Sequence, residues 1–183
     1  AVVARRQGVE VSDIRLWAFG GVARILDRPA SPRSQALIAG AGPAVSLALV
    51  AIFGAFAVGI SGDAVGTTAV LAVACWWLAF GNLGLALFNL LPGLPLDGGH
   101  LVAAAVWSRT GDERRGRSVA ARTGKFIGTL IFVVAVVAAI ASSSSYLWTA
   151  LIGLFIRRVA QEELRQLRAQ GIDTGKQKCT EQL

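Results

Sequence analysis

Between Phe88 and His100 the chain reads Phe-Asn-Leu-Leu-Pro-Gly-Leu-Pro-Leu-Asp-Gly-Gly-His, and its one acid, Asp97, stands where a long apolar segment ends. A carboxylate placed there can ligate a cation, relay a proton or cap a broken helix. Lipid offers no partner to polar backbone, so broken helix at membrane depth persists only against protein or a water-filled cavity. A carboxylate in that setting is costly and marks a candidate functional site. Asp-Gly soon after Pro is also the composition of a plain turn. The context favours a site: Asn89, Pro92, Pro95, Asp97, Gly98 and Gly99 close or directly follow one apolar run. A simple exit from the membrane needs no such constrained loop. Pro92, Pro95, Gly98 and Gly99 read as a structural loop that holds Asp97, because Pro fixes φ and Gly frees it. Asn89 offers an amide either to a reacting carbonyl or to the backbone of the broken helix. His100 is the sole histidine. One His and one Asp cannot close a metal site, so His100 reads as a cap or a headgroup-facing side chain.

The elements that position these residues are membrane helices. Hydrophobic residues make up 54% of the 183 and charged ones 16%, against about 25% charged in soluble domains. A span needs about 20 apolar residues. The runs 37–60 and 67–91 qualify, and 126–141 and 146–158 form a shorter pair around a tight turn at Ser142–Ser145. That pair either spans a thin bilayer or extends into its flanks. The expectation is a mainly α, multi-pass membrane protein of about four membrane helices, following the end of a helix at Ala1–Gln7. Residues 1–158 form the membrane domain, and 159–183 a cytoplasmic helix and tail, disordered from Gly171.

All 18 Lys and Arg fall in three stretches, Arg5–Arg33, Arg109–Lys125 and Arg157–Lys178. Four spans place all three on one side, which the positive-inside rule makes cytoplasmic. The net charge of +7 then reflects topology and contact with anionic lipid, in a cell membrane. Basic residues without interleaved aromatics argue against a nucleic-acid partner. Two cysteines do not make a disulfide framework, and Cys75 in mid-span and Cys179 in a cytoplasmic tail are expected to be reduced. Val9–Leu26 alternates apolar and polar residues around Gly20-Gly21, which predicts a small β-hairpin at 9–26. Ala39–Pro43 falls in the first turns of the first span, where small residues allow close helix approach. Leu101–Trp107 reads as a short helix leaving the Asp97 loop, and Thr110–Arg122 as a polar connection. Trp107 and Trp148 suit interfacial anchoring, and Trp76-Trp77 packing inside a bundle.

The segment Asn89-Leu-Leu-Pro92 through Pro95-Leu-Asp97-Gly98-Gly99 resembles the second motif of the site-2 protease family, the intramembrane zinc metalloproteases. Phe19-Gly20-Gly21-Val22 resembles that family's Gly-Gly hairpin element, and Ala41-Gly42-Pro43 the motif of its next helix, all in the family's order. The resemblance implies that Asp97 is the third zinc ligand. It implies a first motif, His-Glu-x-x-His, that supplies two His ligands and a Glu base. This sequence lacks that motif and opens on residues that resemble those following it, so the expectation is a chain truncated at its N-terminus and inactive alone. Ser46 stands where the family often has Asn.

Zinc with three protein ligands keeps an open position for water, whose pKa falls to about 7. Asn89 would position the substrate carbonyl or the developing oxyanion. Phe19, Gly20 and Gly21 would either offer a strand edge to an unwound substrate by β-augmentation or belong to a structural hairpin that covers the site. The partners implied are membrane proteins cut within the bilayer, such as tethered regulators. Two other readings compete: a catalytically dead scaffold of the same fold, and a small transporter or channel subunit with Asp97 and Asn89 lining a path.

Overall fold

The computed structural model describes residues 11–17, 20–25, 30–62 and 65–180, with side chains at 30–62 and 65–169. The described elements are strands β1 (Val11–Trp17) and β2 (Gly20–Ile25) and helices α1 (Pro32–Ser61), α2 (Thr67–Asn89), α3 (Asp97–Thr110), α4 (Glu113–Ala141) and α5 (Tyr146–Thr180). They gather into two compact units, Ala1–Leu91 and Pro92–Leu183. The helix end expected at Ala1–Gln7 lies outside the described residues.

In the first unit β1 and β2 pair antiparallel, from Trp17 opposite Gly20 to Val11 opposite Ile25, with an irregularity between Val11 and Asp13. Helix α1 begins earlier than the apolar run suggests. The Ser31 hydroxyl accepts from the Ser34 N–H at 3.1 Å, and Pro32 takes the first helical position, where its missing N–H costs nothing. Pro43 therefore lies about three turns into the helix rather than in its first turns. There it leaves the Ala39 carbonyl without its helical donor.

Helices α1 and α2 pack through small residues. Ala39, Pro43, Ser46 and Ala57 are buried on α1. Ala72, Ala79 and Ala86 recur every seventh position of α2 and are buried as well. The large apolar side chains point outward, among them Phe56, Val70, Leu71 and Phe80. Small inside and large outside is how helices associate when lipid, not water, is the solvent. Trp77 is 76% exposed and Trp76 stacks on Phe80 at 5.6 Å. Within this unit the tryptophan pair lies on the face of α2 away from α1, because alanines occupy the close contact.

In the second unit α3 stops at Gly111, whose φ of +71° suits glycine. Asp112 then caps α4, its carboxylate accepting from the N–H groups of Arg114 and Arg115 at 2.8 and 3.2 Å. This cap starts a single helix at Glu113. The segment read as a polar connection is thus the first half of α4, and 126–141 is its apolar second half. Helices α1, α2 and α4 are long and apolar enough to cross a membrane. In α5 the apolar part ends at Ile156, roughly 16 Å along, and the charged part continues as helix through the segment expected as a tail, to Thr180. The last proline of the chain is Pro95, so no proline stops it.

Gly116, Ala120, Gly124 and Gly128 recur every fourth residue of α4 and are buried. A Cβ at Gly128 would stand 2.6 Å from the Arg157 nitrogen, and one at Gly153 equally close to the Phe132 nitrogen. α5 therefore folds back along α4 at backbone contact. At the polar end Arg117 pairs with Glu163, and the Arg114 guanidinium donates to the Leu167 carbonyl at 2.8 Å.

Candidate functional site

Helix α2 closes at Asn89, with the Leu90 N–H donating to the Ala86 carbonyl at 3.0 Å. The connection that follows, in the second unit, is short and held by backbone. The Leu96 N–H donates to the Gly93 carbonyl at 3.0 Å, closing a turn over a cis Leu94–Pro95 bond. The Leu94 N–H donates sideways to the Ala120 carbonyl of α4 at 3.1 Å. The side chains of Leu94 and Leu96 are buried and pin the turn from below.

Helix α3 starts at Asp97 itself. Leu96 is its extended cap residue, and its carbonyl accepts from the N–H groups of Gly99 and His100 at 2.9 and 3.3 Å. Asp97, Gly98 and Gly99 thus form the first turn of a helix, not a loop, and the helix reaches beyond the expected Leu101–Trp107. An acid is favoured in a first turn because the free N–H groups there carry partial positive charge.

The glycines serve packing. A Cβ at Gly99 would strike the backbone of Gly93 and Leu94. One at Gly93 would strike the Gly124 Cα and stand 2.7 Å from its nitrogen. One at Gly124 would meet the Leu94 carbonyl and stand 2.8 Å from the Leu94 nitrogen. Gly93, Gly99 and Gly124 therefore bring turn, α3 and α4 into three-way backbone contact, which sets the position of Asp97. Gly93 and Gly124 were not singled out by sequence reasoning. The signal was the four-residue spacing of small residues from Gly116 to Gly128, set inside a stretch whose charges read as a connection.

Asp97 is half-buried, and its carboxylate has no hydrogen bond or ion pair among the described residues. It lies outside the three apolar helices. Burial pushes its carboxyl above the usual value, and His100 nearby opposes that rise. No group of three His, Cys, Asp or Glu side chains among the described residues could hold a metal. Asp97 is therefore a single oxygen donor of a type that suits zinc.

Pro92, Pro95, Gly98 and Gly99 come together with Asp97 in the second unit. Asn89 ends α2 in the first unit, where Gly20 and Gly21 open β2 opposite Trp17 and Leu16. Phe19 lies outside the described residues.

Residues 63–134, which include Asn89 to Asp97, match the family model described as "Peptidase family M50". The chain is 44% identical over 176 residues to "Putative zinc metalloprotease Rip3" of Mycobacterium tuberculosis, covering 96% of this chain and 44% of that protein. It is 38% identical over 171 residues to "Putative zinc metalloprotease sll0528" of Synechocystis, covering 90% and 42%. Among solved structures it is similar to the site-2 protease from Methanocaldococcus jannaschii, with a TM-score of 0.58 and 26% identity over 88% of this chain and 68% of that one. The chain spans less than half the length of these curated relatives. With the family motif at Asn89–Asp97 inside the matched residues, these likenesses make the chain similar to peptidase family M50 and to a site-2 protease.

Proposed function

We propose that this chain supplies Asp97 as the third zinc ligand of an intramembrane metalloprotease that hydrolyses peptide bonds in or near transmembrane segments of tethered regulators. The observation that carries this reading is Asp97 itself. It is an acid without a partner among the described residues, fixed by three backbone-contacting glycines, in a chain similar to peptidase family M50. The rest of the ligand set, two His with a Glu base by resemblance, lies outside these 183 residues, which hold a single His. Bound zinc supplies Lewis acidity and a water acidic enough to be deprotonated near neutral pH. Asp97 contributes a ligand oxygen and a negative charge that offsets the cation in low dielectric. By resemblance to the family motifs, Asn89 would hold the substrate carbonyl, and an edge of the β1–β2 pair would take the unwound segment as an added strand.

The fold supports a topology with both basic ends cytoplasmic. α5 turns back along α4 after Ser142–Ser145, and Gly128 abuts Arg157. The charges of α5 therefore return to the end of α4 that carries Arg122 and Lys125. The competing reading is a non-cleaving scaffold of the same fold, which requires that the whole reading frame lack a His-Glu-x-x-His motif.

The test uses the product of the whole reading frame that encodes this chain, in liposomes with a membrane-tethered reporter. Cleavage should be zinc-dependent and fall by more than about a hundredfold in Asp97→Ala, beyond what substitutions around a metal's ligands cost. A wild-type protein that binds substrate and leaves it intact supports the scaffold. Cleavage unchanged in Asp97→Ala refutes the assignment.

A further inference from the structure

Helix α5 carries a groove of about 710 Å³ just past its apolar part, lined by Phe155, Arg157, Arg158, Gln161, Glu162 and Arg165 among others. Phe155, Arg158, Glu162 and Arg165 follow helical spacing and share one face. Glu162 stands 3.7 Å from Arg165. Arg157 and Arg158 have no acidic partner among the described residues. The site built around Asp97 uses none of these side chains.

The neighbouring helix places this groove at a defined height. Gly128 abuts both Gly153 and Arg157, and the two helices run in opposite directions. Lys125 and Arg122, both exposed on α4, therefore stand level with the groove. Apolar surface begins at the same height on both helices, with Phe126 69% and Phe155 64% exposed. A shared step from apolar to basic surface marks the headgroup layer of the cytoplasmic leaflet.

We infer that this groove docks an anionic phospholipid of that leaflet, its phosphate held by Arg157 and Arg158 and its glycerol and upper acyl part lying on Phe155. Planar guanidinium groups match phosphate oxygens in paired hydrogen bonds, and Arg is the residue suited to that geometry. Arg165 with Glu162 closes the polar end of the groove, and Lys125 adds charge from α4. The inference rests on the membrane reading of α4, not on zinc chemistry, so lipid binding and zinc binding fail separately.

The test titrates the purified chain in neutral detergent with short-chain phosphatidylglycerol and phosphatidylcholine, counting bound lipid by native mass spectrometry. The anionic lipid should bind more tightly. Arg157→Gln with Arg158→Gln should cut that preference roughly thirtyfold, about fivefold for each charge removed near the surface. Arg158→Gln alone, at an exposed position, should cut it about fivefold and serves if the double variant folds poorly. Arg109→Gln with Arg115→Gln removes the same charge from exposed sites elsewhere and should change the preference less than about twofold. Equal binding of the two lipids overturns the inference. So does an equal loss in the control pair, which points to net charge, or inorganic phosphate binding as tightly as the lipid.

Discussion

Gly124→Ala tests the claim that three glycines set the position of Asp97. The new Cβ would stand 2.8 Å from the Leu94 nitrogen and 3.1 Å from the Gly93 carbonyl carbon, where ordinary contact begins at 3.4 Å. The obstructing atoms are backbone and cannot rotate away, so the turn must retreat by at least about 0.6 Å. That movement strains the 3.1 Å hydrogen bond from Leu94 to Ala120, worth about 1 kcal/mol. Overpacking adds about 1–3 kcal/mol, and the better helix propensity of Ala returns up to about 1 kcal/mol. The net expectation is a loss of about 1–3 kcal/mol, read by thermal or denaturant unfolding of the purified chain in detergent. Asp97 rides three residues beyond Leu94, and ligand distances tolerate only about 0.2 Å. Zinc affinity of the whole reading-frame product should therefore fall roughly 10–100-fold, as for other substitutions that disturb ligand orientation. Gly84→Ala is the control, because nothing lies within 4 Å of its added Cβ. It should be neutral or stabilise by up to about 1 kcal/mol. Equal stability and unchanged zinc affinity in the two variants refute the packing argument.

Arg117→Ala leaves Glu163 without its partner. A fully buried pair would lose about 3–5 kcal/mol, and the 25% and 20% exposure of these side chains discounts this to about 1–2 kcal/mol. Denaturant unfolding checks it, and adding Glu163→Gln should recover part of the loss. Asp112→Ala removes the cap of α4 and should cost about 1 kcal/mol in the same assay. Trp77 is 76% exposed on a helix able to cross a membrane. In liposomes with brominated acyl chains, Trp77→Phe should remove more quenchable fluorescence than Trp107→Phe, and an equal effect would contradict the lipid-facing assignment.

The membrane class, the Asn89–Asp97 motif and the turn at Ser142–Ser145 were legible in the sequence, because apolar run length and polar punctuation report them directly. What was not legible depended on contact rather than composition. Thr110–Arg122 carries enough charge to look like a connection, yet its capping Asp112 and four-residue rhythm of small residues build half of α4. Gly98 and Gly99 read as loop glycines by residue type. Their use in the first turn of α3 is visible only once the Gly93–Leu94 backbone is seen beside Gly99. Trp76 and Trp77 read as bundle packing, and in the contact with α1 it is the alanines of α2 that take the interface. The charged continuation of α5 past Arg157 was legible, whereas its run on from Gly171 to Thr180 was not, because Gly171 and the polar residues after it have the composition of a tail.

The most direct test of the central claim is zinc stoichiometry by elemental analysis of the whole reading-frame product, wild type beside Asp97→Ala, with folding checked by circular dichroism. Ligation by Asp97 predicts about one zinc per chain in the wild type and a sharp loss in the variant, with helix content unchanged. Equal zinc in both proteins, or none in the wild type, would contradict it.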